Sequence, residues 1–167
     1  AKHDWAKTSL SDRIVILQAV KDSLMCVADD WAEAAGRAKG IPEGSPLVGE
    51  EWISGPYAVM SCCNGLIDTL SQMEGKRFLD GLKKRSLPTG QTALRVVPHS
   101  IWDRLLLSGV KADVWMQKGV TPSNLKDNAA WAYDVPPEQR VGKVALVLGA
   151  GNIAAITPLD AFQKLFL

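Results

Sequence analysis

Gly149-Ala150-Gly151-Asn152-Ile153-Ala154 is the segment of this sequence best placed to do chemistry. It fits the pattern G-x-G-x-x-[GA], follows the aliphatic run at 144–148, and precedes the helix-like stretch PLDAFQKLF. In a strand, turn and helix setting, Gly149 and Gly151 let backbone N–H groups approach a pyrophosphate, as in a dinucleotide-binding turn. A full fingerprint also needs a second strand ending in an acidic residue about 20 positions on. Pro158 interrupts the helix that should start at the glycines, so a purely structural turn is the alternative.

The other reactive groups have simpler readings. Cys62 and Cys63 lie in an apolar helical stretch with no histidine nearby, which describes packed thiols rather than a nucleophile. His99 and Asp103 have the spacing of a relay but no Ser or Cys partner, so helix capping or surface polarity accounts for them. No His, Cys or carboxylate cluster has metal-ligand spacing, and no metal is expected. Glu50 and Glu51 read as acidic charge at a helix start. The six tryptophans fall in helical or strand patterns without interleaved basic residues, which favours core packing over base stacking.

Whole-chain properties narrow the class. A net charge of +1 with dispersed Lys and Arg gives no phosphate-tracking stripe, and no nucleic-acid partner is expected. The run Lys83-Lys84-Arg85 is the one basic cluster and reads as a solvated loop face. Three cysteines, with no CxxC spacing, suit a reducing cytoplasm. No apolar run reaches the roughly 18 to 20 residues that cross a bilayer, so no membrane association is expected.

Periodicity then places these residues on elements. Residues 9–39 read as a helix starting at Ser9 or Ser11, with Ile14, Leu17, Val20 and Leu24 at three- and four-residue spacing. A Gly- and Pro-rich loop leads to a second helical region at 49–73, with Pro56 in its first turn or at a kink, and a short helix follows near 76–84. Beyond the loop SLPTGQ, the runs TALRVVP, ADVWMQKGV and KVALVLG read as strands separated by helix-like SIWDRLLLSG and PSNLKDNAAWAY. The expected fold is α/β: a helical region over 1–90, then a partial α/β region over 91–167 with an incomplete, mostly parallel sheet, truncated before a catalytic domain. Pro98 leaves open that ALRVVP is an edge ribbon.

The stretch GKVALVLGAGNIAAITPLDAFQKLF resembles the N-terminal part of the aldehyde dehydrogenase superfamily, whose members carry a hydrophobic strand, a Gly or Pro turn and an asparagine. Trp5, Ser9 and Arg13 resemble that family's opening helix, and Lys39-Gly40-Ile41-Pro42 its following loop. Ala150-Gly151-Asn152 stands where most members have Pro-Trp-Asn, as in a divergent bacterial branch. The resemblance implies that Asn152 is a catalytic residue whose side-chain amide stabilises the thiohemiacetal oxyanion. It also implies an aldehyde substrate, NAD or NADP as cofactor of the full-length parent, part of an oligomerisation ribbon and a homo-oligomer. The family's cofactor-binding lysine, general-base glutamate and catalytic cysteine lie beyond the equivalent of Leu167, so this piece alone is expected to be inactive and to bind no dinucleotide tightly. Two alternatives stand beside it: the first βα unit of a Rossmann nucleotide-binding domain, and a non-catalytic α/β binding module.

Overall fold

The structure, a computed structural model, describes residues 1–149 and 151–167. They form two compact units, one of residues 1–71 with 136–167 and one of residues 72–135.

The first unit is helical. α1 spans Lys2–Lys7 and α2 spans Leu10–Ala38, which starts where Ser9 Oγ accepts the Asp12 N–H at 3.1 Å. α2 buries Leu17, Leu24, Ala28 and Ala32 along one stripe. α4, Ala58–Ser71, answers with Val59, Cys63, Leu66 and Leu70, spaced four, three and four residues apart, and the two helices pack together. Between them lie α3, Val48–Trp52, and a widened π turn at Ile53–Tyr57 that holds Pro56. A proline has no N–H for the regular helical bond, and the wider turn absorbs that loss.

Glu51 lies in the first turn of α3, the helix start that the sequence reading gave it. It is also 2% exposed, and its carboxylate accepts from Lys39 Nζ at 2.6 Å. The buried side of α3 and the lysine just beyond α2 bring the two together, a pairing that helix-dipole reasoning does not supply.

α6, Ile156–Phe166, closes this unit against α4. Its buried Phe166 stands edge-on to Trp5, ring centroids 5.5 Å apart, and to Phe162 at 6.0 Å. Arg13, 7% exposed, fastens the arrangement. Its Nη1 donates to Leu165 O at 2.6 Å, its Nη2 to Trp5 O at 3.0 Å and its Nε to Thr8 O at 3.3 Å. The guanidinium also lies over the Trp5 ring, 4.9 Å from its centroid, while Trp5 Nε1 donates to Leu165 O at 2.9 Å. One buried cation therefore serves carbonyls near the C-terminal ends of both α1 and α6, where the helix dipole favours positive charge.

The second unit holds a three-stranded sheet, β1 (Lys83–Ser86), β2 (Thr92–Val97) and β3 (Ala112–Trp115), in the order β1-β2-β3. Both pairings are antiparallel, so the expectation of a mostly parallel sheet is corrected. Two features explain the outcome. Leu-Pro-Thr-Gly-Gln closes a tight reversal between β1 and β2, with Leu87 N–H to Gln91 O at 2.8 Å, and so short a link permits only antiparallel pairing. α5, Ile101–Leu106, has no buried residue and does not cover the sheet as a crossover helix would. β2 is the central strand, not an edge ribbon, and it ends at Val97, one residue before the donor-less Pro98. Lys83-Lys84-Arg85 forms the exposed edge strand β1 rather than a loop or helix. The segment read as PSNLKDNAAWAY helix holds only short 3-10 turns at Lys126–Asn128 and Trp131–Tyr133. Leu79, Leu94, Val120 and Leu125 make the core of this unit.

A charged bridge crosses all three strands. Asp113 on β3 bonds its register partner Arg95 on β2, and Arg85 on β1 donates to it from Nη2 at 2.7 Å and from Nε at 3.1 Å. The Arg95 bond foremost, then the Arg85 bond, lowers the Asp113 carboxyl to about 2 from its ordinary 3.8. Because both guanidiniums hold the charged form, their stabilisation is complete above that ordinary value and drains away as pH falls toward 2. Acid titration of sheet unfolding, followed by circular dichroism, is expected to show this loss between about pH 4 and pH 2. Asp113→Asn should flatten that part of the profile; an unchanged profile would remove Asp113 as its source.

The tryptophan expectation holds only in part. Trp5 and Trp31 are half-buried, Trp31 against Gly55, but Trp52, Trp102, Trp115 and Trp131 are exposed. No helix of the described residues is long and apolar enough to cross a membrane.

Candidate functional site

The run KVALVLG, expected as a strand, is paired with nothing among the described residues. No backbone group at 141–149 hydrogen-bonds to another described residue, and Val144, Leu146 and Leu148 are 83%, 82% and 79% exposed. A β-prone sequence becomes a strand only when a neighbour accepts and donates its backbone bonds, and the described residues provide none here. The segment does pass close under α1 at Gly142, where a side chain would run into the Lys2 carbonyl and the His3 nitrogen.

The run delivers the chain to the turn that carries the candidate site. Of its pattern, Ala150 lies outside the described residues. Gly149 lies against Thr157 of α6, so closely that a Cβ at 149 would collide with Thr157 Oγ1. Gly151 takes φ +83°, the left-handed region that other residues enter only with strain. Ile156 N–H then bonds Ile153 O at 3.3 Å, and α6 begins after Ala155, which is buried and gives no side-chain cap.

Asn152 follows Gly151 in this turn. It is exposed, and its side-chain amide makes no hydrogen bond to any described residue. Asparagine at a turn normally bonds nearby backbone. This one spends no N–H donor on a described residue, and the Gly149 contact with Thr157 and the Ile153 to Ile156 hydrogen bond flank it.

The other candidates settle into structural roles. Asp103 Oδ2 accepts the backbone N–H of His99 at 2.7 Å and of Ser100 at 3.0 Å, while Ser100 Oγ accepts the Asp103 N–H at 3.1 Å. This is a capping box on α5, and those backbone bonds lower the Asp103 carboxyl. Cys63 is fully buried and Cys62 half-buried; burial raises both thiols, away from the thiolate a nucleophile needs. Among the described residues no group of three or more His, Cys, Asp or Glu could hold a metal ion.

Three arrangements escape sequence reasoning. Arg13 is one, although it left a trace: it sits four residues before Leu17 on the stripe that α2 buries. Thr157 is another, hidden because its contact with Gly149 depends on how the turn folds back on α6. The third is a cross-brace around an open cavity of about 290 Å³ lined by Met73, Gly75, Lys76, Lys126, Asp127 and Asp134. There Lys76 Nζ donates to Lys126 O at 2.5 Å and Asp134 Oδ2 at 2.6 Å, while Lys126 Nζ reaches Gly75 O at 2.8 Å and Asp80 Oδ1 at 2.7 Å. Both ammonium groups are committed to protein oxygens, which makes the cluster a tie between two loops.

Comparison with protein-family models, with curated proteins and with solved structures finds no match to this chain.

Proposed function

We propose that this chain forms the N-terminal portion of an NAD(P)-dependent aldehyde dehydrogenase-like oxidoreductase, in which Asn152 donates a side-chain N–H to the aldehyde oxygen. As a thiolate from the longer protein adds to the carbonyl carbon, the electron pair of the C=O bond moves to oxygen, and a fixed N–H donor lowers the barrier by stabilising that charge. The single observation that carries the reading is an Asn152 amide without a hydrogen bond to any described residue, on a turn where Gly151 takes φ +83°. A donor already bonded to its own protein would have to break that bond first.

NAD or NADP in the longer protein supplies the hydride acceptor. A pyrophosphate cradle requires a paired strand before the glycines and a helix starting at them. Here the run at 144–148 pairs with no described residue and α6 starts only at Ile156. In this reading Gly149 and Gly151 therefore shape the turn, and the cofactor is held by groups elsewhere in the longer protein. The exposed, unbonded apolar run supports burial against further chain, and homo-oligomerisation is part of the proposal. Three free cysteines support a cytoplasmic location.

Native mass spectrometry of the purified chain with added NAD or NADP tests this division of labour. Self-associated chain without bound dinucleotide is the expected result. A monomer that holds dinucleotide tightly, and loses it on Gly151→Val, would overturn the reading in favour of a nucleotide-binding turn.

A further inference from the structure

We infer that Thr157 is the positioning residue for Asn152, an inference that rests on the oxyanion role proposed for that asparagine. Thr157 lies in the first turn of α6, yet its hydroxyl makes no hydrogen bond to a described residue and caps nothing. What it does is steric. Its Oγ1 faces the point where a Cβ on Gly149 would stand, with its own Cβ 3.3 Å and its Cγ2 3.6 Å from that point. The collision is with Oγ1 in the rotamer the structure holds, and a threonine in a helix is restricted to few χ1 alternatives. The backbone at 149 is thereby seated on α6, and α6 is held in turn by Phe166 and the Arg13 bond to Leu165.

Among the described residues, the restraints nearest Asn152 are the Gly149 contact with Thr157 before it and the Ile153 to Ile156 hydrogen bond after it. The reversal at Gly151 falls within the same short span. With no hydrogen bond to a described residue to aim it, the Asn152 amide takes its direction from these backbone restraints. Such restraint matters because a misplacement of about 1 Å can cost on the order of a hundredfold in rate. Thr157 thus acts through Gly149, without touching substrate.

The test is a set of ¹⁵N–¹H spectra of the whole chain, with the Asn152 side-chain NH₂ pair identified by its loss in Asn152→Ala. Gly149→Ala is expected to displace that pair, and Gly149→Ala with Thr157→Ala to bring it back toward the wild-type position. Thr157→Ser, which keeps Oγ, should leave the pair in place, while Thr157→Ala alone should broaden it by loosening the turn. Equal displacement in the single and double variants would overturn the inference, as would a wild-type pair in Gly149→Ala. Should Gly149→Ala fail to fold, Thr157→Ala decides alone, since an unchanged sharp pair removes the positioning role. No aldehyde or cofactor enters this experiment. Its failure is therefore separate from failure of the oxyanion role, which appears only in the kinetics of Asn152→Ala.

Discussion

Arg13→Met is expected to lower the stability of the helical unit by about 3 kcal/mol, within the range for charged hydrogen bonds of about 1.5 to 3 kcal/mol each. The total stays near one full bond because two of the three carbonyls keep another donor. Leu165 O retains the Trp5 indole N–H, and Trp5 O retains the Thr8 backbone N–H. For a chain of this size the loss corresponds to a fall of about 6 to 12 °C in Tm. Arg13→Lys should fall between, because an ammonium cannot span the carbonyls of α1 and α6 as the planar fork does. Trp5→Phe keeps an aromatic ring near Phe166 but removes the indole donor, at a cost of about 1 kcal/mol. Urea unfolding followed by helical circular dichroism measures all three. If Arg13→Met lies within about 0.5 kcal/mol of wild type, in the range of ordinary surface substitutions, the guanidinium is not what fastens α6.

Asn152→Ala, made in the enzyme that carries this segment, is expected to slow the acylation step by roughly a hundred- to a thousandfold. That is the usual effect of removing one oxyanion donor, about 2.7 to 4 kcal/mol of transition-state stabilisation. The side chain makes no bond to a described residue and is exposed, so its removal should leave Tm nearly unchanged. Because the donor acts on charge that develops only during the reaction, kcat and kcat/KM should fall together, with little change in cofactor affinity. Pre-steady-state measurement of the acylation burst distinguishes the outcomes. Normal acylation with weakened dinucleotide binding would assign the turn to the cofactor, and loss of folding alone would return Asn152 to a structural turn.

The long helices were legible from local pattern. The stripe from Leu17 to Leu24, the Ser9 cap, the interruption at Pro56 and the helix after Asn152 all follow from spacing within one segment. An α-helix closes its hydrogen bonds within itself, and its buried face repeats every three or four residues. The left-handed demand at Gly151 and the capping box between Ser100 and Asp103 are equally local.

Strand pairing was not legible in the same way. KVALVLG has the aliphatic content of a buried strand, yet among the described residues it pairs with nothing, while the charged KKRS forms the sheet edge. Backbone bonds in a sheet join residues distant in sequence, so composition states an inclination and the partner decides the outcome. The direction of pairing turned on the tight reversal after β1 and on α5 failing to cover the sheet, neither of which alternating strand-like and helix-like segments reveal.

By itself, then, the sequence determined the helical half, the α/β content, and the residue types at the turn with Asn152 among them. Tertiary structure alone decided that the sheet is antiparallel, that Arg13 and Glu51 are buried with partners, and that Thr157 crowds Gly149. The physical division is one of range. Helices and turns are fixed by forces acting over a few residues. A cation finding a carbonyl 152 residues away, or a hydroxyl meeting a glycine across a folded turn, exists only once the chain has closed on itself.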